Sequence, residues 1–305
     1  HPYRGIWVDN GFTTTINNNT MDIGEYGIYA QDGSFVTINY NEINDFGEEG
    51  IRFNSSENST VNYNRLVSSM GGWKRGITNS NSNQNAIVNY NYIDLGDDGG
   101  SKYGIEVHDS EVKGDTIIQE TPYSCCAQTA RGIIAHRSII EDNYVQILQE
   151  GCSCGGIGIA IESYSNSYNR SSIKNNTIHA GGNSRGIWAS QSDIENNHIE
   201  DYNGWNDEWS IGGGDSNFIF QNTIQDMRHG INVEGYENSI IDSNTINVEY
   251  WGIYGNNAYG THIITNNYIH KTSGDKLLYF TNSDSVIVTN NTFLSAGGEG
   301  LYFSD

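Results

Sequence analysis

The sequence is poor in proline and in basic residues. It contains only 2 prolines, and its 15 lysines and arginines stand against 37 aspartates and glutamates, a formal net charge of −22 at pH 7. This acidity excludes nucleic acid and an anionic membrane surface as main partners. No apolar run approaches the roughly 18 residues that cross a bilayer. We therefore expect an acidic protein that neither binds nucleic acid nor inserts into a membrane.

Apolar residues are also scarce, at 36% of the 305 residues, and asparagine and glycine are abundant, at 40 and 36. The apolar residues are nevertheless spread evenly, which is not typical of disorder. A periodic structure must therefore bury them.

Two short phrases recur along the whole chain. The first, asparagine followed by any residue and an apolar residue, recurs at intervals of 21 to 33 residues at Asn19, Asn41, Asn64, Asn91, Asn143, Asn176, Asn197, Asn222, Asn244, Asn267 and Asn291, with a variant at Asp115. The second, Gly-Ile, lies between these copies, as in Gly104-Ile105 and Gly132-Ile133. The segments around both phrases alternate between apolar and polar residues over three to five positions, which predicts strands and not helices.

Each repeat is too small to bury its own apolar side, so successive repeats must stack. The sequence predicts an all-β parallel β-helix of about twelve coils, with roughly 24 residues per coil. We expect residues 1–305 to form a single domain that is incomplete at one or both ends. The repeated asparagine suits this fold, because it tolerates left-handed backbone and because stacked amides can hydrogen-bond.

On these two phrases the chain resembles the right-handed parallel β-helix superfamily, whose coils are pectate-lyase-like. The resemblance implies carbohydrate chemistry, since members include polysaccharide lyases, glycoside hydrolases and uronate epimerases. It equally implies surface and tailspike proteins without activity. The sequence contains no complete active-site signature of these enzymes.

Stacking turns residues at one offset into columns. When the glycine of each Gly-Ile phrase is position 0, residues at +1 and +3 point inward and residues at +2 and +4 point outward. The +4 column is predicted to hold His108, His136 and Glu162 on consecutive coils, with Glu106 and Arg137 beside it. Histidine exchanges protons near neutral pH and a carboxylate can orient it, so these three are the catalytic candidates. Zinc ligation by them, and a solvated polar ladder, are the alternatives.

Two further columns are candidates for holding a substrate. Arg75, Tyr103 and Arg131 share offset −1, and with Arg137 the arginines could bind carboxylates or sulfates of an anionic glycan. They could equally pair with the abundant acidic residues. Glu106 and Trp188 lie in the +2 column, which is rich in aromatic residues that either stack on sugar rings or cover the sheet.

All four cysteines lie in two insertions, as Cys125-Cys126 and Cys152-x-Cys154. A bridge between Cys125 and Cys126 is strained, which leaves two cross-loop disulfide arrangements. Zinc held by four thiolates is the alternative. Disulfides would indicate an oxidising, extracellular compartment.

A loop at residues 202–209 could bind Ca²⁺ through oxygen ligands or could simply be exposed. The metal requirement is otherwise left open.

The sequence thus favours an extracellular or cell-surface protein that binds a polysaccharide and cleaves or modifies it, with proton abstraction favoured over hydrolysis. The alternative is a non-catalytic surface, fibre or adhesin-type protein, for which self-assembly into a larger structure is a further expectation.

Overall fold

The computed structural model describes residues 3–9, 13–31, 35–54, 58–79, 85–96, 99–121, 129–149, 157–165, 169–202, 208–274, 276–297 and 299–304, without the side chains of Thr121 and Glu299. Within these ranges the secondary structure is β-strand, and no helix occurs. None of the described residues therefore forms a helix that could span a membrane.

The chain winds into a parallel solenoid with three faces. The first face carries the Gly-Ile phrases, and its strands are Arg4–Asp9, Tyr26–Gln31, Glu49–Asn54, Lys74–Thr78, Lys102–His108, Ala130–His136, Gly158–Tyr164, Ser184–Ser190, Trp209–Gly212, Lys276–Thr281 and Glu299–Ser304. The second face is the 12-stranded sheet of Thr13–Asn17, Phe35–Asn39, Thr60–Asn62, Ile87–Asn89, Glu111–Lys113, Ile139–Glu141, Ser171–Lys174, Ser192–Glu195, Phe218–Phe220, Ile240–Asp242, Thr261–Thr265 and Ser285–Thr289.

The third face carries the asparagine phrases. Its strands are Thr20–Asp22, Glu42–Asn44, Arg65–Val67, Tyr92–Asp94, Thr116–Thr121, Tyr144–Gln149, Thr177–Gly182, His198–Asp201, Tyr268–Lys271 and Thr292–Ser295. Two longer strands, Thr223–Asn232 and Thr245–Asn256, pass from the third face into the first and join these two faces into one 23-stranded sheet. There are about 11 turns of about 24 residues, close to the predicted twelve, so the predicted fold class is confirmed.

The core is a set of apolar columns inside the solenoid. On the third face, for example, Ile93 pairs with Ile117 and Ile117 with Val145 on consecutive turns, and all three are fully buried. Each short strand contributes only a few inward side chains, so burial comes from stacking between turns. This explains how a chain with so few apolar residues builds a continuous core.

The repeated asparagines form a buried ladder at the corner between the second and third faces. The amide of Asn41 donates to Oδ1 of Asn64 at 3.0 Å, and its Nδ2 also donates to the carbonyl of Ile16 at 2.8 Å. The same pattern connects Asn64 to Asn91 at 3.0 Å. Backbone and side-chain groups at this buried corner thereby satisfy one another, and the predicted stacking of amides is confirmed.

The left-handed residue of this corner is not the ladder asparagine, contrary to the prediction. It is the residue before it, such as Tyr40 (φ 57°), Tyr63 (φ 57°) or Asn175 (φ 56°). The ladder residue needs an amide that reaches inward, whereas the preceding residue makes the sharp change in chain direction. Amide stacking and left-handed backbone geometry, which the prediction assigned to one residue, therefore belong to two neighbouring residues.

The glycine of the Gly-Ile phrase is required by close packing between turns. A Cβ on Gly104 would lie 2.5 Å from the carbonyl oxygen of Gly132, which no side chain can occupy. The glycine also interrupts the alternation, since Tyr103 and Glu106 both lie on the outer side while Gly104 and Ile105 are buried. As a result the −1 and +2 columns run side by side on the outside of the first face.

Candidate functional site

The histidine column exists, but its third member is Tyr164 and not Glu162. His108 pairs with His136, as predicted. Ile133 then pairs with Ile161 and Ile134 with Glu162, so Glu162 lies in the +2 column. The ring of Tyr164 lies beyond that of His136, with centroids 5.5 Å apart. The prediction that Glu162 stacks on His136 is therefore wrong. The predicted alignment of this strand is shifted by two residues, and a shift of two leaves the same side chains facing outward.

The cause of this shift is a buried serine. Gly158-Ile159 fits the repeated phrase and gives an apolar +3 residue, but Ala160 takes the glycine position next to Gly132. The inward +3 residue of this turn is then Ser163. Its hydroxyl donates to the carbonyl of Ala135 at 2.6 Å and is hydrogen-bonded to Oγ of Ser171 at 2.7 Å. These bonds allow a polar side chain in an apolar column.

The imidazole of His136 is held in one tautomer. Its Nδ1 accepts a hydrogen bond from the backbone N–H of Tyr164 at 2.9 Å. In the neutral ring the proton must then reside on Nε2. The rings of His108 and His136 have centroids 4.9 Å apart and a tilt of 34°. His136 therefore offers an N–H donor, while His108 stands beside it.

Both histidines are neutral at physiological pH. Burial lowers the pKa of His136 to about 4, helped by the neighbouring His108 and by the charge of Arg137. Burial and Arg137 also lower the pKa of His108, against the opposing charges of Glu106 and Asp109. Burial and the carboxylate of Glu162 raise the pKa of Tyr164 to about 12. Perturbed titrating groups of this kind concentrate at functional sites.

A serine ladder anchors the backbone of this column. Ser110 Oγ donates to the carbonyl of His108 at 2.6 Å, and Ser138 Oγ donates to the carbonyl of His136 at 2.8 Å. The N–H of Ser110 donates in turn to Ser138 Oγ at 3.0 Å. The ends of the two strands are thus fixed to each other where the histidines emerge.

The arginines of the −1 column are paired with carboxylates. Arg131 Nε lies 2.7 Å from Oε2 of Glu162, whose carboxylate also helps to raise the pKa of the Tyr164 phenol. Arg75 lies 3.5 Å from Glu49 and 3.4 Å from Glu106. A substrate carboxylate would have to compete with these partners.

Tyr103 packs beside this arginine column. Its ring lies edge-on to Trp73, with centroids 5.9 Å apart, and the guanidinium of Arg75 lies 5.7 Å from its centroid. Tyr103 thus covers part of the sheet next to Arg75.

The aromatic residues of the +2 column stack mainly on one another. Trp7 and Tyr29 are parallel with centroids 4.0 Å apart, and Tyr279 stacks on Tyr302 at 5.2 Å. Arg185 lies 3.9 Å over Trp188, and a Cβ on Gly212 would meet the same ring at 2.5 Å. Packed rings present their edges to solvent, which weakens the prediction of sugar stacking within these columns.

Arg137 points to another part of the surface than Arg131. It makes two bonds to Asp109, Nε to Oδ1 at 2.7 Å and Nη2 to Oδ2 at 2.6 Å. Together with Ile87 and Ile139 it lines a shallow depression beside the second face. The structure thus does not bring Arg131 and Arg137 to one substrate group, and the prediction of a joint role loses its geometric basis.

The metal predictions have different outcomes. With Glu162 outside the column, the proposed zinc set of two histidines and a glutamate is not assembled. Nowhere in the described part of the chain do three or more His, Cys, Asp or Glu side chains form a group that could hold a metal ion. Cys125, Cys126, Cys152 and Cys154, and residues 203–207 of the suggested Ca²⁺ loop, lie outside the described residues.

Sequence reasoning missed Tyr164 and a second polar cluster, on the third face. There Glu200 contacts Nε2 of His179 at 3.2 Å and Nε2 of His198 at 3.1 Å. His179 and Glu200 both stand three residues after a ladder asparagine, Asn176 and Asn197, so counting from that phrase would have aligned them. Tyr164 required the correct pairing of Ala160.

The family comparison covers almost the whole chain. A family model described as "Right handed beta helix region" matches residues 4–204 and 210–305. No curated protein matches the chain.

Similar solved structures include two β-solenoid proteins of low identity. The surface protein and adhesin PfbA of Streptococcus pneumoniae is 10% identical, with 97% of this chain and 92% of that chain covered and a TM-score of 0.49. The A-module of the mannuronan C-5 epimerase AlgE6 of Azotobacter vinelandii is 10% identical, with 97% and 91% covered and a TM-score of 0.32.

Proposed function

This chain belongs to the right-handed β-helix family, and we propose that its first face binds a polysaccharide and transfers a proton at a sugar carbon through the column of His108, His136 and Tyr164. The polymer class that fits is a uronate glycan, because the C–H next to its carboxylate becomes accessible to an imidazole base when an N–H donor stabilises the negative charge that develops on the carboxylate. Such polymers lie outside cells, so an extracellular or cell-surface location accompanies the proposal.

The observation that carries the proposal is the pair of stacked, neutral, half-buried histidines on the outer side of the first face. Burial lowers the pKa of both rings, so each is unprotonated at neutral pH. An unprotonated imidazole next to an N–H donor is suited to removing one proton and stabilising the negative charge that results.

The roles follow from the hydrogen bonds. His136 already uses Nδ1 to accept from Tyr164, so it acts as donor through Nε2–H. His108 is therefore the base. In β-elimination the C–H bond next to the carboxylate breaks and its proton moves to His108. A C=C bond then forms, and the glycosidic C–O bond breaks as its oxygen takes a proton from the Tyr164 phenol.

Proton abstraction is favoured over hydrolysis by the state of the nearby carboxylates. Hydrolysis needs two carboxyl groups on opposite sides of the glycosidic bond. The two beside the column, Glu106 and Glu162, face Arg75 at 3.4 Å and Arg131 at 2.7 Å. The carboxylate of Glu162 is instead paired with Arg131, and it contributes to the raised pKa of the Tyr164 phenol.

A panel of uronate polysaccharides tests the proposal. Elimination generates unsaturated ends that absorb in the ultraviolet, and reducing-end release reports cleavage of either kind. The wild type should produce unsaturated ends from one polymer, and His108→Ala should lower the rate by about 10²-fold or more. His270→Ala is the matched control, because His270 lies on the third face beside Asn247. Reducing ends without unsaturation would favour hydrolysis instead.

A second function, a non-catalytic glycan-binding or structural surface protein, is favoured by the ion pairs. Arg75, Arg131 and Arg185 each have a glutamate partner, so the first face offers a substrate carboxylate little unopposed positive charge. Retention on an immobilised glycan without any product from the whole panel would support this function.

A further inference from the structure

The turns that follow His108 and His136 are joined by an ion pair. Asp109 comes directly after His108 and Arg137 directly after His136, and the guanidinium holds the carboxylate with two bonds of 2.7 and 2.6 Å. A planar fork of this kind fixes both distance and orientation. The N–H of Asp109 also donates to the carbonyl of His136 at 2.9 Å.

Both partners are in an unusual backbone conformation. Asp109 has φ 47° and Arg137 has φ 53°, in the left-handed region that arginine rarely occupies. This strain persists only where the surrounding contacts impose it. The two bonds between the side chains are such contacts, since they link one left-handed turn to the next along the solenoid.

The strands that carry the two histidines end at these turns. Lys102–His108 and Ala130–His136 are paired in register up to the histidines themselves. Any relative movement of the two turns would change the 4.9 Å separation and the 34° tilt of the rings. The ion pair is therefore placed to control the geometry of the column.

We propose that Arg137 is the positioning residue of the histidine column: its fork with Asp109 fixes the two rings relative to each other. Burial has the largest part in lowering the pKa of both rings, and the positive charge of Arg137 adds to it. This role replaces substrate binding for Arg137. Its effect on turnover rests on the proposed function, whereas the protonation of the two rings can be measured without any substrate.

The charged groups around the two rings predict in which direction the pKa of each histidine changes when one of them is removed. His108 faces Arg137, which lowers its pKa, and Glu106 and Asp109, which raise it, while burial has the largest effect. The pKa of His136 is lowered by burial, by His108 and by Arg137. Removing the charge of Arg137 should therefore raise both pKa values, whereas removing the charge of Asp109 should lower that of His108.

Titration of the histidine ring protons by NMR, on the folded protein, tests the proposal with three variants. Arg137→Gln should raise the pKa of both rings by about half a unit or more. Asp109→Asn should move the pKa of His108 in the opposite direction. Arg137→Lys keeps the charge but loses the fork, so both pKa values should stay low while the contacts between the rings change.

The variants also separate this role from general stabilisation. If the ion pair only stabilised the fold, Arg137→Gln and Asp109→Asn would change the pKa of His108 in the same direction, which overturns the proposal. Unchanged pKa values in Arg137→Gln would overturn it as well. Where turnover is detected, Arg137→Lys should lower it about tenfold without moving its pH profile. Absence of turnover in the wild type contradicts the proposed function and leaves the titration as the decisive result.

Discussion

The side-chain amide of Asn91 donates to Oδ1 of Asp115 at 2.9 Å, so a carboxyl group occupies one rung of the asparagine ladder. The second carboxyl oxygen of Asp115 is buried and has no hydrogen-bond partner among the residues that the structure describes. On the neighbouring rung the equivalent atom is an amide nitrogen, and in Asn143 it donates to Val112 and Asn176 at 3.0 Å. An ionised Asp115 thus lacks the donor that its neighbours have.

Asp115→Asn should stabilise the protein. The amide restores the missing donor and removes a buried group whose ionised form is unfavourable, so we expect a gain of about 1–3 kcal/mol at pH 7. Equilibrium urea unfolding of both proteins at pH 7 measures the difference. Equal or lower stability of the variant would show that the carboxyl group is satisfied in the folded protein.

The stability difference should depend on pH with a defined sign. Burial raises the pKa of Asp115 well above its ordinary 3.8, so the unfolded chain ionises first as the pH rises. Below roughly pH 4 both states are protonated and the ionisation of Asp115 costs nothing. As pH rises from there to the folded pKa, the wild type should lose stability relative to Asp115→Asn, and above it the difference should be constant. A difference that narrows with rising pH contradicts this mechanism.

Asn143→Ala should be strongly destabilising. It removes two donated bonds and leaves the N–H of Asp115, which donates to Asn143 Oδ1 at 2.9 Å, without its acceptor. Buried groups left in this way cost about 2–4 kcal/mol in total. Thr265→Ala, which removes an exposed contact with Thr289, is the matched control and should change the free energy of unfolding by less than about 0.5 kcal/mol. Similar effects of the two substitutions would mean that the ladder does not stabilise the fold.

Tyr164→Phe should impair turnover more than substrate binding. The phenol supplies a proton to the departing oxygen in the proposed mechanism, so we expect a fall in kcat of about 10²-fold. Tyr268→Phe, exposed on the third face, should leave kcat unchanged. An unaltered kcat in Tyr164→Phe would remove this residue from the mechanism, because the Arg131–Glu162 pair remains in that variant.

Repetition made the fold predictable from sequence. Twelve copies of one phrase fix the length of a turn and the faces that point inward, and even Asp115 was recognised as a ladder position because its neighbours repeat. The ambiguous turn was the one with overlapping phrases, Gly156-Ile157, Gly158-Ile159 and Ala160-Ile161. There the apolar pattern predicts Gly158 as position 0 of the turn. In the structure Ala160 takes that position, and the hydrogen bonds of the buried Ser163 make this alignment possible.

The partners of the charged side chains were beyond the sequence. The column pattern predicts that Arg131 and Glu162 lie on the outer side. Their contact arises because the alternation is interrupted, which brings the −1 and +2 columns side by side. Likewise the fork of Arg137 depends on two left-handed turns, and an arginine in that conformation has no sequence signature. Pairings of this kind require the backbone path, so the site was predicted less well than the fold.

Solvent exchange into the sugar tests proton transfer on the first face most directly. In D₂O a uronate polymer incubated with the wild type should gain deuterium next to its carboxylate or lose that hydrogen by elimination, as seen by NMR of the glycan. His108→Ala should do neither, and His270→Ala should match the wild type. A polymer that binds to the first face but neither exchanges nor loses this hydrogen would contradict the account.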